Sequence, residues 1–266
     1  MFWIYNCRKM KFVLVEKNNR VGVITLNRPD KRNALNAEFV AELSKAFKDF
    51  AKDEEVKVII LRANGEVFSA GADLKYLQDL QQNSYNENLQ DSINLKNLYL
   101  QIYQLDKVVI AEVGGHAIAG GCGLITACDF VFAANEAMFG YTEVKIGFIP
   151  AIVMVFLLRK LSETHAKELL LSGFLINAQK AVEMSLITQI VEKKELRKFV
   201  ESYAQDLVRS NSAASMGLTK TMIAKVQGMD IDQAMDLATK TNATVRESDD
   251  CKRGIEAFLN GEQIFW

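Results

Sequence analysis

VVIAEVGGHAIAGGCGLITACD, running from Val108 to Asp129, decides how this chain is read. Its opening six residues are apolar and largely β-branched apart from Glu112, the pattern of a buried strand. Five glycines follow (Gly114, Gly115, Gly120, Gly121 and Gly123), and Leu124 to Cys128 continue as a helix. A strand that passes into a helix through glycine leaves backbone N–H groups unpartnered and turns the positive helix end outward. Glycine also lets a ligand approach the backbone closely. The segment therefore suits an anion, either a phosphate or an oxyanion that develops in a reaction. Tight helix–strand packing accounts for the same glycines equally well. The chain has no G-x-x-x-x-G-K-S/T phosphate loop, and Thr126 stands where a dinucleotide fingerprint needs its third glycine. A second small-residue segment, Ser69-Ala70-Gly71-Ala72-Asp73, has the same placement between a strand and a helix. Two such segments, each offering one N–H, would make a shared oxyanion hole.

Outward from these segments the chain alternates strand and helix. Phe12–Glu16 and Val21–Leu26 read as a hairpin, and Asn36 caps a helix with Phe39, Val40, Leu43, Phe47 and Phe50 on one face. Val56–Leu61, Val108–Val113 and Phe130–Ala133 read as strands, residues 74–80 and 90–105 as helices, and Gln81–Asn88 as a mobile polar loop. Two helices are expected between Ala151 and Ser172. Residues 178–266 read mainly as helices, with one short strand near Leu186–Val191. This predicts an α/β core over residues 10–195 and a helical C-terminal region over 196–266. Met10 opens the first strand, and residues 1–9 are expected to lie outside the fold.

The 266 residues are enough to bury a sizeable core without staples. Lys plus Arg is 32 and Asp plus Glu 33, a net charge of −1 that argues against general nucleic-acid binding. The longest apolar run, Ile149–Leu158, is too short to span a membrane and is ended by Arg159 and Lys160. Cys7, Cys122, Cys128 and Cys251 contain no C-x-x-C pair, and His116 and His165 are the only histidines, so neither a zinc site nor a disulfide framework is expected. A reducing, cytoplasmic setting fits.

Four motifs carry a resemblance that covers about Lys11 to Phe258. They are Asn27-Arg28-Pro29 with Asn33-Ala34-Leu35-Asn36; Phe68-Ser69-Ala70-Gly71-Ala72-Asp73-Leu74; Gly115-His116-Ala117 through Gly120-Gly121-Cys122 with Cys128-Asp129; and Phe139-Gly140 through Glu143, Gly147 and Ile149-Pro150. In that order and spacing the chain resembles the enoyl-CoA hydratase/isomerase (crotonase) superfamily. The resemblance implies a spiral of ββα units with a helical C-terminal region, homotrimers or homohexamers, and an acyl-CoA thioester as substrate. Coenzyme A then enters only as part of the substrate, with no separate cofactor, metal, nucleic acid or membrane partner. It also implies that the N–H groups of Ala72 and Gly120 polarise the thioester carbonyl. Lys31, Arg32, Ala70, Asp73 and Leu74 fall in the blocks that contact coenzyme A, and the two cations suit its phosphates.

Of the two glutamates such hydratases use, the second matches Glu143 and the first falls on Gly123. One carboxylate can still serve as base and acid in turn. Glu143 lies among Phe139, Val144, Ile146 and Phe148, and burial there would raise its pKa. Tyr141 and Thr142 are candidate hydrogen-bond partners for it. His116, Cys122 and Asp129 read as structural. The tail after Phe258 has no Lys or Arg to reach a neighbour's coenzyme A.

Gly121-Cys122-Gly123-Leu124 with Glu143 through Ala151 is similar to the methylglutaconyl-CoA hydratase branch, and the bare Gly123 is expected to widen the acyl pocket. The expected activity is hydration of a branched enoyl-CoA such as 3-methylglutaconyl-CoA, in leucine degradation. The alternatives are an enoyl-CoA delta-isomerase using one glutamate, and a non-catalytic binding protein, which the net charge and the retained Glu143 disfavour.

Overall fold

The computed structural model describes residues 8–266. The strands are β1 (Arg8–Lys9), β2 (Val13–Asn18), β3 (Val21–Leu26), β4 (Val58–Ala63), β5 (Val67–Ser69), β6 (Val108–Val113), β7 (His116–Ile118), β8 (Phe130–Ala134), β9 (Met138–Gly140), β10 (Ile176–Asn177) and β11 (Gln189–Val191). The helices are α1 (Ala37–Lys52), α2 (Leu74–Leu80), α3 (Tyr85–Gln104), α4 (Gly120–Thr126), α5 (Ala151–Lys160), α6 (Glu163–Ser172), α7 (Ala178–Glu183), α8 (Lys193–Ser210), α9 (Ala213–Val226), α10 (Ile231–Glu247) and α11 (Asp249–Asn260).

Two sheets form, a seven-stranded one in the order β1-β2-β3-β4-β6-β8-β11 and a four-stranded one in the order β10-β9-β7-β5. Each strand pair β4–β5, β6–β7 and β8–β9 gives its first member to the large sheet and its second to the small one. With the intervening helices this is the expected spiral of ββα units. The β3–β4–β6–β8 pairs are parallel. Parallel strands are covered on both faces, which is why β3 and β6 are apolar and buried without alternation.

One core fills the space between the sheets. There α1 buries Phe39, Val40, Leu43, Ala46, Phe47 and Phe50, and the Asn36 side chain caps it by accepting the Phe39 N–H at 2.9 Å. The second core lies under the large sheet, where Val23, Val58, Ile60 and Phe132 meet Leu196, Val200, Ala204 and Val208 of α8. The boundary expected at 195–196 thus falls within α8, a helix that packs on the sheet. The helices beyond it include α10, which buries none of its residues.

Two expectations are corrected. Arg8–Lys9 pairs with Leu14–Val15, so the fold begins before Met10; residues 1–7 lie outside the described part. The span 81–88 is not a continuous loop, because Ser84 caps α3 in a reciprocal capping box with Glu87. The short strands of the small sheet, implied by the resemblance to a ββα spiral, correspond to no strand read from the residues themselves. Among the described residues no helix is long and apolar enough to cross a membrane.

Candidate active site

The two small-residue segments meet where β5 pairs with β7 in parallel, Ser69 opposite Ala117. Gly71 takes φ +88°, and a Cβ there would lie 2.7 Å from Ala119 Cβ and 3.2 Å from Gly120 N. Gly121 is equally constrained, since a Cβ would fall 2.5 Å from the Ser69 carbonyl oxygen. The glycines are therefore packing elements, and the packing brings two backbone segments into contact.

Most N–H groups of these segments are paired, those of Gly121 and Cys122 in the first turn of α4 excepted. Ala70 N–H donates to Arg32 O at 3.0 Å, Asp73 N–H to Leu35 O at 2.8 Å, and Leu35 N–H to Gly71 O at 2.7 Å. Gly71 N–H reaches Ser69 Oγ at 3.3 Å. Ala119 N–H donates to Gly140 O at 2.7 Å, and Gly123 N–H to Ala119 O at 3.0 Å. None of the hydrogen bonds among the described residues uses the N–H of Ala72 or of Gly120. Ala119, the residue before α4, has φ 51° and ψ −124°, a conformation that L-residues rarely adopt. Such strain persists only where the surroundings fix it, and it concentrates at functional sites.

Glu143 opens a 3-10 turn (Glu143–Ile146) after β9. It is half-buried, and its Oε2 is buried without a hydrogen-bond partner. Loss of water around the carboxylate raises its pKa. The shielding does not come from all the expected residues, since Ile146 and Phe148 are 61% and 55% exposed. On its inner side the carboxylate acts on the Tyr99 phenol and the Cys122 thiol. Burial first, then this charge, raises the pKa of Tyr99; burial chiefly holds Cys122 at about 12, an inert buried thiol. Tyr141 does not reach Glu143; its hydroxyl pairs with Thr126 Oγ1 at 2.7 Å.

Gly123 does not open a pocket. A Cβ there would lie 2.3 Å from Val153 Cγ1 and 3.3 Å from the Tyr99 hydroxyl. Val153 of α5 already fills the space that a side chain at position 123 would need.

Lys31 and Arg32 are exposed, on the 3-10 turn Pro29–Lys31 and its left-handed end. Through its carbonyl Arg32 holds Ala70, so both cations stand beside the Ala72 segment. Leu74 is 70% exposed at the start of α2. The Asp73 carboxylate is committed within the protein. It caps α2 by accepting Lys75 and Tyr76 N–H at 3.0 and 3.3 Å, and it pairs with Arg28 at 2.8 Å. Burial alone would raise its pKa, but the bond from Arg28 and the two N–H groups bring it below the ordinary value. His116 Nδ1 accepts the Met138 N–H at 3.1 Å, and Asp129 pairs with Lys220 at 2.8 Å. Among the described residues no cluster of three or more His, Cys, Asp or Glu side chains is placed to hold a metal ion.

Sequence reasoning missed Arg28, Tyr99 and Val153. Tyr99 shares a helical face with Leu95, Leu98 and Ile102 and so reads as core. The one signal was its hydroxyl, since a buried tyrosine needs a partner for it.

Unused N–H groups can polarise a carbonyl, and a partly desolvated carboxylate, linked here to Gly120 through the Tyr99 phenol, can move a proton. Comparison with known proteins points the same way. The sequence profile of the family described as enoyl-CoA hydratase/isomerase matches residues 16–266. A Thermus thermophilus protein provisionally named an enoyl-CoA hydratase is 39% identical over 247 residues, 93% of this chain and 97% of that protein. The crotonyl-CoA hydratase of Syntrophomonas wolfei is 32% identical over 249 residues, 93% of this chain and 94% of its own. The crystal structure of an enoyl-CoA hydratase from Mycobacterium smegmatis superposes with a TM-score of 0.91 at 29% identity, over 97% of this chain and 99% of that one. Matched along nearly its whole length in sequence and in fold, the chain belongs to the enoyl-CoA hydratase/isomerase family.

Proposed function

We propose that this protein is an acyl-CoA hydratase that adds water across the 2,3 double bond of an enoyl-CoA thioester. The observation that supports the reading is the half-buried Glu143 carboxylate, its Oε2 without a partner, whose charge acts on the Tyr99 phenol bonded to the Gly120 carbonyl. In the proposed reaction those two N–H groups receive the thioester oxygen and stabilise the enolate. Glu143 takes a proton from water as its oxygen bonds to C3, then returns that proton to C2. The raised pKa of Glu143 suits a group that must act as base and then acid.

Lys31 and Arg32 are assigned to the phosphates of coenzyme A, with Ala70 and Leu74 against its adenosine-side arm. The Asp73 carboxylate is engaged by Arg28 and by the first N–H groups of α2, so no direct contact is assigned to it. For the acyl chain the proposal is a branched substrate, 3-methylglutaconyl-CoA, which places the reaction in leucine degradation. It rests on the resemblance around Gly121–Leu124 and Glu143–Ala151; the filled space at Gly123 lends it nothing. The exposed apolar residues Ile231, Met235, Ile255, Phe258 and Leu259 support assembly through the C-terminal helices as a homotrimer or homohexamer.

The single carboxylate also favours a second reading, proton transfer between C2 and C4 by an enoyl-CoA isomerase. The test is loss of the conjugated enoyl-thioester absorbance with 3-methylglutaconyl-CoA and crotonyl-CoA, for wild type and Glu143→Gln. Hydration by wild type with a drop of about 10²–10⁴-fold in the variant supports the hydratase reading. Products of unchanged mass from a 3-enoyl-CoA, with no hydration, replace it by the isomerase.

A further inference from the structure

The geometry points to Tyr99 as a positioning residue whose hydroxyl pins the Gly120 carbonyl and thereby aims the Gly120 N–H at the substrate oxygen. The inference rests on the proposed oxyanion role of Gly120 and deepens it.

Tyr99 projects from α3 and is fully buried. Its hydroxyl donates to the Gly120 carbonyl oxygen at 2.9 Å. A Cβ at Gly120 would lie 3.2 Å from that hydroxyl, and one at Gly123 3.3 Å from it. The phenol therefore occupies the place where side chains from positions 120 and 123 would project, against the first turn of α4. The peptide that carries the Gly120 N–H joins Gly120 to Ala119, whose φ of 51° and ψ of −124° are strained. Left alone, such a peptide would relax by rotating, and the N–H would turn with it. Here its own carbonyl, that of Ala119, accepts the Gly123 N–H at 3.0 Å, and it is held on both flanks as well. Ala119 N–H is tied to the Gly140 carbonyl at 2.7 Å, and the Gly120 carbonyl to Tyr99. Burial, reinforced by the Glu143 carboxylate, holds the phenol above its ordinary pKa, so it remains a donor at every working pH. Its ring also packs on Phe156, 6.1 Å between centroids, and that contact survives loss of the hydroxyl.

The test is Tyr99→Phe in the full-length protein, with two readouts. The first is kcat and KM for hydration of crotonyl-CoA. The second is the red shift in the absorbance of a bound conjugated dienoyl-CoA, which reports how strongly the thioester carbonyl is polarised. The expected result is a kcat lower by about 10–100-fold with KM within about threefold, and a smaller red shift. A residue that only packs would leave the red shift unchanged. A variant with the wild-type shift and a kcat within about twofold overturns the proposal. Should the variant not fold, ring-fluorinated tyrosines at position 99 keep the shape and strengthen the donor. Their red shift is expected to exceed that of wild type, and an unchanged shift overturns the proposal. Wild type that neither hydrates the thioester nor shifts the dienoyl band overturns the acyl-thioester reading, and this proposal with it.

Discussion

Gly123 and Val153 face each other so closely that a Cβ on the glycine would sit 2.3 Å from Val153 Cγ1. The contact joins α4 to α5 and decides what position 123 tolerates. Val153 is 5% exposed and cannot swing into solvent. Gly123→Ala is expected to cost about 1–3 kcal/mol through overpacking. In a Val153→Ala background the same change should cost less than about 1 kcal/mol. Urea denaturation of the four proteins in this cycle measures the coupling.

Glu143→Gln separates activity from stability. Because the native pKa of Glu143 is raised above the ordinary 4.5, folding favours its protonated form. Any stability tied to that proton is complete below pH 4.5 and is lost as pH rises through the native pKa. The Gln variant, which carries no charge, should therefore equal wild type in stability at about pH 4 and exceed it at pH 8. Thermal melts across that range check the crossover; parallel curves would show that the carboxylate is not desolvated.

Asp73 runs with the opposite sign. Its native pKa is held below the ordinary 3.8, so its contribution is present above pH 3.8 and disappears as pH falls through the native value. Asp73→Ala removes the α2 cap and leaves Arg28 without its carboxylate, at an expected cost of about 1–3 kcal/mol at pH 7. Arg28→Ala should cost a similar amount, and the double variant less than the sum, as read from denaturation midpoints.

Ala119→Gly relieves a backbone conformation suited to glycine while adding freedom to the unfolded chain. The two effects offset, and stability is expected to stay within about 1 kcal/mol of wild type. The peptide bearing the Gly120 N–H becomes freer to rotate, so kcat for enoyl-CoA hydration should fall about 3–10-fold without a comparable change in KM. Steady-state kinetics beside a melting curve test both halves.

What the sequence carried was local. The β2–β3 hairpin, the Asn36-capped α1 and the strand–glycine–helix passage from β6 to α4 each follow from a few neighbouring residues, and the structure contains them. The Ser84–Glu87 capping box was equally legible as S-x-x-E, but the polar composition around it read as loop. The strands of the small sheet are two or three residues long, too short to show a period of two. Their pairing is what brings Gly71 against Ala119. Val153 lies thirty residues from Gly123, and no property of either residue announces the contact. The motifs around Ala72 and Gly120 mark two segments that the structure brings into contact, whereas the role of Tyr99 is hidden by the same helical periodicity that puts it on α3.

At one rim the large sheet ends on β11, which is three residues long. An outer strand exposes a row of free amide and carbonyl groups on which another chain can add, and proteins blunt that hazard by keeping such strands short. Three residues give a foreign strand too little ladder to grip. The central, almost wholly apolar strands that would aggregate if bared are all interior. Growth of the large sheet by strand addition is blunted at that rim.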